Sequence, residues 1–517
     1  MNESFWQGLA MVIYLGGMLL IGWWSYHRTH NLDDYMLGSR DLSPAVAALS
    51  AGAADMSGWL LMGLPGAIYK AGLVEGWIAV GLTVGAWLNW KYVAPRLRSY
   101  TQVADNSITV PSFLGNRLHD SSKLMRVVSG VIILVFFTFY VSSGMVAGGV
   151  FFQSSFGMEY RWGMLLVAAV TVTYTLFGGF LAVSYTDFVQ GIMMVLALVL
   201  VPVSGIIALG GWGEFTDAVA VSDAQAGINR FAVLPAEMTT VAVIGIVSAL
   251  AWGLGYFGQP HIIVRFMALR SVAEAKAGRR IGIGWMLFAA LGAISTALVG
   301  AAYFQRRGGQ LSDPETVYIR LGQIFFHPLI AGFMLAAVLA AIMSTISSQL
   351  LVTASALVED VYKAFGGAEK ADAHHVLMGR LAVLGVSVIA AAMAWNQNAT
   401  ILQLVAFAWA GFGAVFGPIV LLSLYWRRLT TWGALSGMIS GAITVGVWGK
   451  HLFGKEGIFA LYEILPGFLV CGLVAVVVSL ATYRPDPEID REFDEALKAL
   501  EGFTAEENPG AGSPAKA

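Results

Sequence analysis

Ala51-Gly52-Ala53-Ala54-Asp55-Met56-Ser57-Gly58-Trp59 places a carboxylate at the centre of a segment, about Ala45 to Tyr69, that is otherwise apolar enough to cross a bilayer. A charge at that depth is expensive, and glycines at 52 and 58 give the helix a reason to break beside it. An acid at a break in a membrane helix marks a binding site.

The rest of the chain supports a membrane setting. Of 517 residues, 57% are hydrophobic and 12% charged, with 60 glycines and a mean hydropathy of +0.71; soluble domains carry about twice that share of charge. Apolar runs of span length recur throughout and the alternating pattern of a membrane barrel is missing, so the expected class is an all-α polytopic membrane protein. A formal net charge of −2 and burial in lipid give no footing for a nucleic-acid partner. The lone Cys471 lies inside an expected span. The first apolar run, Phe5 to Tyr26, is too long for a signal-peptide core and reads as a retained helix.

About thirteen spans are expected, near residues 6–25, 45–69, 74–95, 126–154, 162–182, 187–209, 240–260, 281–303, 328–357, 376–394, 400–424, 432–451 and 459–482. One set of alternate loops is rich in bases, among them Arg28, Arg40, Arg96, Arg98, Arg117, Arg126, Arg265, Arg270, Arg280, Lys370 and Arg427; the opposite set holds few, including Lys70, Arg161, Arg230, Lys450 and Lys455. The positive-inside rule then puts the N-terminus outside and the C-terminus in the cytoplasm. Beyond the last span the acidic stretch 483–517 reads as a solvated cytoplasmic tail, with a short amphipathic helix from Ile489 to Leu500 and a disordered end from Asn508.

A second span is interrupted at its centre, Trp252-Gly253-Leu254-Gly255-Tyr256-Phe257-Gly258-Gln259-Pro260. Five spans separate the starts of the two broken helices, so they enter the membrane from opposite sides. The expected organisation is therefore residues 1–44 as a first helix and loop, 45–209 as one five-helix repeat, 210–239 as an extracellular loop, 240–424 as an inverted repeat, and 425–482 as two peripheral helices. Paired interrupted spans in inverted halves point to a secondary transporter with its site at the midplane. Glycines also serve close helix packing, but packing alone requires neither Asp55 nor the matched positions.

Broken helices offer N–H groups to a carboxylate and freed carbonyls to a small hard cation such as Na⁺. Ser57 and Gly58 stand where the first role is served, and Ala53 and Met56 where the second is. Further oxygens are available from Ala341 to Gln349, where Ser344 and Thr345 share a side of the helix with the Ala341 carbonyl. Hydroxyls in membrane helices also bond back to their own helix, which is the competing explanation of that cluster.

Gly38 to Pro44 (GSRDLSP), Ala47 to Tyr69 (AALSAGAADMSGWLLMGLPGAIY), Tyr174 to Gly191 (YTLFGGFLAVSYTDFVQG), Trp252 to Arg265 (WGLGYFGQPHIIVR) and Ala340 to Gln349 (AAIMSTISSQ) resemble the sodium/solute symporters, over the chain as far as about residue 484. The resemblance implies a leucine-transporter-like five-plus-five inverted core with one helix before it and two after. It also implies sodium-coupled import by alternating access across a bacterial plasma membrane. No nucleophile–base arrangement, metal-ligand spacing or phosphate loop appears in the sequence, so no enzymatic activity is expected, and no obligate protein partner is evident.

The sodium site it implies consists of the Ala53, Met56 and Ala341 carbonyls with the Ser344 and Thr345 hydroxyls, and Asp55 as a nearby charge. Asp187 with Ser348 matches a second cation position in some relatives, although a helix N-cap explains Asp187 equally well. Arg40 matches a coupling or inner-gate position and serves equally as a positive-inside anchor.

The match is nearest to the proline-carrying members, which implies L-proline as the solute. Its carboxylate needs the donors of Ser57 and Gly58, while its ring and ammonium need an aromatic wall, for which Trp59, Tyr140, Trp252 and Tyr256 are available and Pro260 shapes the break. The open alternatives are another small solute, such as pantothenate, a short carboxylate or another amino acid, and a proton in place of sodium.

Overall fold

The computed structural model describes residues 3–29, 31–366, 371–396, 401–448 and 456–507. Every extended regular element among them is helical; the one β contact is an isolated bridge between Leu42 and Leu269. Lys370, Lys450, Lys455 and the tail from Asn508 lie outside the described residues.

The first helix, α1 (Glu3–Tyr26), precedes the first broken span, which is formed by α2 (Pro44–Gly58), a wide turn at Trp59–Gly63 and α3 (Leu64–Ala71). Next come α4 (Trp77–Leu88), α5 (Ala94–Val103), α6 (Leu124–Phe156), α7 (Tyr160–Ala208) and α8 (Trp212–Ala226). The second broken span is α9 (Thr240–Ala251), a tight helical stretch Trp252–Gly258, and α10 (Pro260–Met267). The chain continues through α11 (Glu274–Arg306), α12 (Pro328–Ser355), α13 (Asp372–Met393), α14 (Ile401–Tyr425), α15 (Thr431–Val447), α16 (Ile464–Thr482) and α17 (Pro487–Glu507).

Local chemistry sets the boundaries that matter for function. Ser43 caps α2 by accepting from the Val46 N–H, with Pro44 in the first turn, and Thr239 caps α9 in the same manner. Pro260 opens α10, where the N–H it lacks has no partner to lose. A straight helix of 49 residues, as α7 is, would run roughly 73 Å, more than twice a bilayer core. It turns instead at Gly179, where φ is +57° and a Cβ would stand 2.7 Å from the Tyr35 ring.

Length and composition qualify ten helices among the described residues as membrane spans, so the expected thirteen is not established by that measure. Two expected spans are fused in α7, the expected span 74–95 is divided between α4 and α5 by a wide turn at Asn89–Val93, and α15 has only 17 residues.

Burial separates the centre from the periphery. The span Pro44–Ala71 is 89% buried and the span beginning with α12 83%, whereas α13 is 28% buried and turns its apolar residues outward. Leu20, Trp162, Ile207, Val241 and Leu473 are all more than 60% exposed, as lipid-facing side chains are. Where α4 crosses the second break the backbones touch, since a Cβ on Gly85 would stand 2.2 Å from the Gly253 carbonyl oxygen. Helices approach so closely only through residues without side chains.

The tail corrects an expectation. Instead of lying in solvent, α17 docks on the helix ends: Phe493 and Ala496 are buried, the Phe493 ring meets Tyr100 edge-on at 5.9 Å, and Ser99 Oγ donates to the Ala496 carbonyl at 2.8 Å. Arg427 pairs with Asp494 at 2.5 Å and His119 with Glu492 at 3.1 Å. A polar sequence with an apolar stripe was legible as amphipathic, but the surface that receives the stripe is built from distant segments.

Candidate functional site at two broken helices

The first break is centred on Ser57, whose φ of +43° and ψ of −169° take the chain out of the helical ladder. No glycine adopts that conformation here, which corrects the expectation that Gly52 and Gly58 make the break. They allow close packing instead: a Cβ on Gly52 would lie 2.8 Å from the Trp285 ring, and one on Gly58 3.1 Å from Ile342 and 3.2 Å from Ala147. The second break contains no positive φ; Trp252–Gly258 tightens into a 3₁₀ helix and Gln259 is extended.

The two breaks meet through side chains. The Tyr256 hydroxyl donates to the Asp55 carboxylate, so the acid at the first break is held by a residue of the second. Asn89 Nδ2 donates to the Tyr256 carbonyl at 2.9 Å, fixing the second break against the end of α4. Asp55, Met56, Gly52, Tyr256, Trp285 and Met286 line a cavity of about 20 Å³, room for roughly one water-sized particle.

Beside Asp55, four of the five expected cation ligands converge. Ser344 Oγ lies 2.8 Å from the Ala53 carbonyl oxygen and 3.2 Å from that of Ala341, and Thr345 Oγ1 lies 3.1 Å from the Ala341 oxygen. Ser344 Oγ divides its one proton between two carbonyls, a weaker three-centre arrangement, whereas a small cation accepts all four oxygens. The fifth atom, the Met56 carbonyl, accepts the Trp59 N–H at the end of α2. Among the described residues no cluster of three or more His, Cys, Asp or Glu could hold a metal ion, so carbonyls and hydroxyls are the donor set on offer.

The aromatic residues form one wall. Trp59 stands 6.3 Å from Trp252, and Tyr256 meets Trp409 edge-on at 5.3 Å. Trp252 stacks between Trp409 (6.3 Å) and Tyr462 (5.2 Å), and Trp409 Nε1 donates to the Trp252 carbonyl at 2.8 Å. Sequence reasoning missed Trp409 and Tyr462. They lie in or beyond the last helix of the core, and no local motif distinguishes them from other membrane aromatics. Ser57 Oγ accepts the Trp59 N–H at 3.3 Å, and Tyr140 is buried with its hydroxyl against the Ser57 side chain. Pro260, the first residue of α10, lines a second small cavity with Thr109, Val264 and Val352.

Asp187 requires the largest correction. It sits two turns past the Gly179 bend, fully buried, so it is not a helix N-cap at the membrane surface. Its Oδ2 accepts from Ser50 at 2.8 Å, from Ser348 at 3.2 Å and from Arg265 at 3.1 Å. Arg265 is likewise fully buried on α10 and is no loop anchor; it donates to Ser50 at 3.1 Å, to Ser348 at 2.5 Å and to the His261 carbonyl. On the Oδ2 side, then, the expected second cation position holds a guanidinium. An apolar interior tolerates one such cation because the carboxylate and three helices share it.

Arg40 spans helix ends, donating to the carbonyls of Met267 (2.8 Å) and Ser107 (2.6 Å) and to Thr101 Oγ1 (3.2 Å). It therefore ties the end of α10 to the segment after α5, which a free surface anchor would not do.

Residues 35–441 match the model of the sodium:solute symporter family. The chain belongs to that family. This symporter is 57% identical over 478 residues to the high-affinity proline transporter PutP of Bacillus subtilis, covering 92% of this chain and 98% of the relative. It is 50% identical over 500 residues to the sodium/proline symporter of Staphylococcus aureus, covering 95% and 96%. Its fold is similar to that of a Na⁺-coupled sialic acid symporter in a substrate-bound outward-open state, with a TM-score of 0.78 at 17% identity over 94% of this chain and 99% of the other. A lesser likeness, TM-score 0.53 at 14% identity over 90% of this chain and all of the other, is to the nucleobase-cation symporter Mhp1.

Proposed function

We propose that Na⁺ and L-proline are bound at the Ser57 break and carried inward together. The chain is a carrier, not an enzyme, and imports proline coupled to sodium; its relatives are named a high-affinity proline transporter at 57% identity and a sodium/proline symporter at 50%. The observation that carries the site assignment is the convergence of the Ala53 and Ala341 carbonyls with Ser344 and Thr345. Sodium there joins the unwound turn of α2 to α12, and Ser57 and Gly58 on the same turn receive the proline carboxylate. Trp59, Tyr140, Trp252 and Tyr256 enclose the ring and ammonium; because they now pack on one another, solute entry requires them to part. Asp55 supplies negative charge beside the ion through its bond to Tyr256.

Arg265 neutralises Asp187 permanently, so a single sodium ion accompanies each proline, with Ser348 serving the guanidinium. The Arg40 end of the helices faces the cytoplasm, the N-terminus lies outside and the C-terminal α17 inside. The bilayer covers the outward apolar belt, and the repeats run over 45–209 and 240–424. Each charge carried inward gains about 2.3 kcal/mol per 100 mV of membrane potential.

Purified protein in proteoliposomes should accumulate labelled proline when sodium is imposed outside and should stop when potassium replaces it. Uptake indifferent to the sodium gradient would refute the reading.

On the outer face the turn Pro314–Thr316 lies on α3, where a Cβ at Gly66 would stand 3.0 Å from the Glu315 backbone. Burial, and next the charge of Asp313, push the Glu315 carboxyl up to about 7, against the Ile401 N–H and Lys70. A carboxyl whose pKa is raised when docked favours docking in its protonated form. Docking is therefore strongest below the ordinary carboxylate value near 4.5 and is lost progressively as pH rises through 7. The thiol-labelling rate of Ala67→Cys in a Cys471→Ala background, divided at each pH by the rate with Glu315→Gln added to cancel the thiolate's own titration, should rise between pH 5 and 8; a flat ratio would refute this docking.

A further inference from the structure

Tyr462 lies beyond both expected repeats, in the segment that leads into α16, yet the fold returns it to the second break. Its ring stacks on Trp252 at 5.2 Å with an interplanar angle of 27°. Each polar end of the residue is fastened to a different helix. The hydroxyl donates to the Ala406 carbonyl of α14 at 2.6 Å, and the backbone N–H donates to Ser248 Oγ of α9 at 3.0 Å. A buried tyrosine held at both ends keeps one ring orientation.

The mounting behind that ring is equally firm. Ile464 and Phe468 of α16 press on α14, where a Cβ on Gly413 would stand 2.6 Å from Ile464 and one on Gly417 2.7 Å from Phe468. Trp448, just past α15, donates from Nε1 to the Leu461 carbonyl at 2.9 Å. On the other side of the break, Trp409 Nε1 holds the Trp252 carbonyl, and a Cβ on Gly255 would run into the same indole. Trp252 is thus fixed through its backbone by Trp409 and through its ring by Tyr462, and an interior packed to this density leaves the ring little room to retreat. Trp59, which faces Trp252 across the two breaks, follows the positive-φ turn at Ser57. When solute parts this pair, Trp59 is the ring that yields and Trp252 is the wall.

We propose that Tyr462 is a positioning residue that sets the size limit of the solute site by backing Trp252. The two helices after α14 then do more than face lipid: they carry the plate against which the solute ring is measured. A rigid apolar wall discriminates against one surplus methylene by about 10- to 200-fold, and a wall free to recede forfeits that margin. Proline has a five-membered ring, and its six-membered homologue, piperidine-2-carboxylate, differs by that one methylene. The proposal rests on the reading of the aromatic wall as the proline site.

The test uses full-length protein in proteoliposomes. Sodium-driven uptake of labelled L-proline by the wild type decides the importer reading by itself. Selectivity is the concentration of L-piperidine-2-carboxylate that halves this uptake, divided by the concentration of unlabelled L-proline that does so, a ratio independent of how much protein folds. Tyr462→Leu removes the plate and should lower the ratio by about fivefold or more. Tyr462→Phe keeps the ring, loses only the bond to Ala406, and should stay within about twofold of wild type. The sodium concentration for half-maximal uptake should also hold within about twofold in both, because Ala53, Ala341, Ser344 and Thr345 are untouched.

A smaller fall in Tyr462→Leu would overturn the proposal. An equal fall in Tyr462→Phe would do so as well, since it would assign the effect to the fastening of α14. Should Tyr462→Leu fail to fold, Tyr462→Met, which keeps most of the volume without the flat ring, decides at the same fivefold line.

Discussion

Ser344→Ala and Thr345→Ala should each raise the sodium concentration for half-maximal proline uptake by at least tenfold, while proline affinity at saturating sodium stays within about threefold of wild type. Ser344 Oγ reaches the carbonyls of Ala53 and Ala341, and Thr345 Oγ1 reaches Ala341, so each substitution removes one oxygen from a set of about five. A tenfold shift corresponds to about 1.4 kcal/mol, less than the several kcal/mol a dry, preorganised oxygen can contribute to a hard cation and more than a peripheral contact would. The separation of sodium from proline effects is the diagnostic part. Sodium reports the joint between α2 and α12, whereas proline reports Ser57, Gly58 and the aromatic wall. Reciprocal coupling requires that the sodium defect shrink as proline is raised. A sodium activation curve unchanged in both variants would place the ion elsewhere.

Arg265→Met should abolish transport mainly by emptying the membrane of folded protein. Asp187 would then keep Ser50 and Ser348 but lose its only buried counter-charge among the described contacts. Removing one partner of a buried pair costs about 3–5 kcal/mol, a large share of the 5–15 kcal/mol that typical domains possess. Adding Asp187→Asn to Arg265→Met removes the orphaned charge and should recover most of the folded yield and thermal midpoint in detergent, without recovering normal transport. Because the two residues touch, their effects must be strongly non-additive. A double variant no more stable than Arg265→Met alone would show that the pair is not the stabilising unit.

These two predictions rest on residues that were unequally legible. Ser344 and Thr345 announced themselves because five polar side chains in six positions interrupt an apolar helix. Asp55 did so because a carboxylate is costly in any membrane segment, and the Trp252–Pro260 stretch because its glycines and proline are visible without a fold. Arg265 gave no such warning: at the boundary of an apolar run it reads as one more cytoplasmic base. Asp187 was misplaced at a helix start because hydropathy divides α7 into two spans without showing that they bend at Gly179. The tail was amphipathic on its face, but its receptor is assembled from Tyr100, Ser99, His119 and Arg427.

Composition and span-length apolar runs by themselves determined a helical membrane protein, and the matched interruptions at residues 51–59 and 252–260 determined an inverted pair of broken helices, because burying backbone in lipid leaves few alternatives. Which atom turns each break, which cation faces Asp187, and that Tyr256 of the second break holds Asp55 of the first were decided only by tertiary structure. Those outcomes depend on distances between helices, and in a uniformly apolar chain helix faces are sorted by side-chain shape and the pairing of rare polar groups, not by a hydrophobic periodicity that the sequence displays.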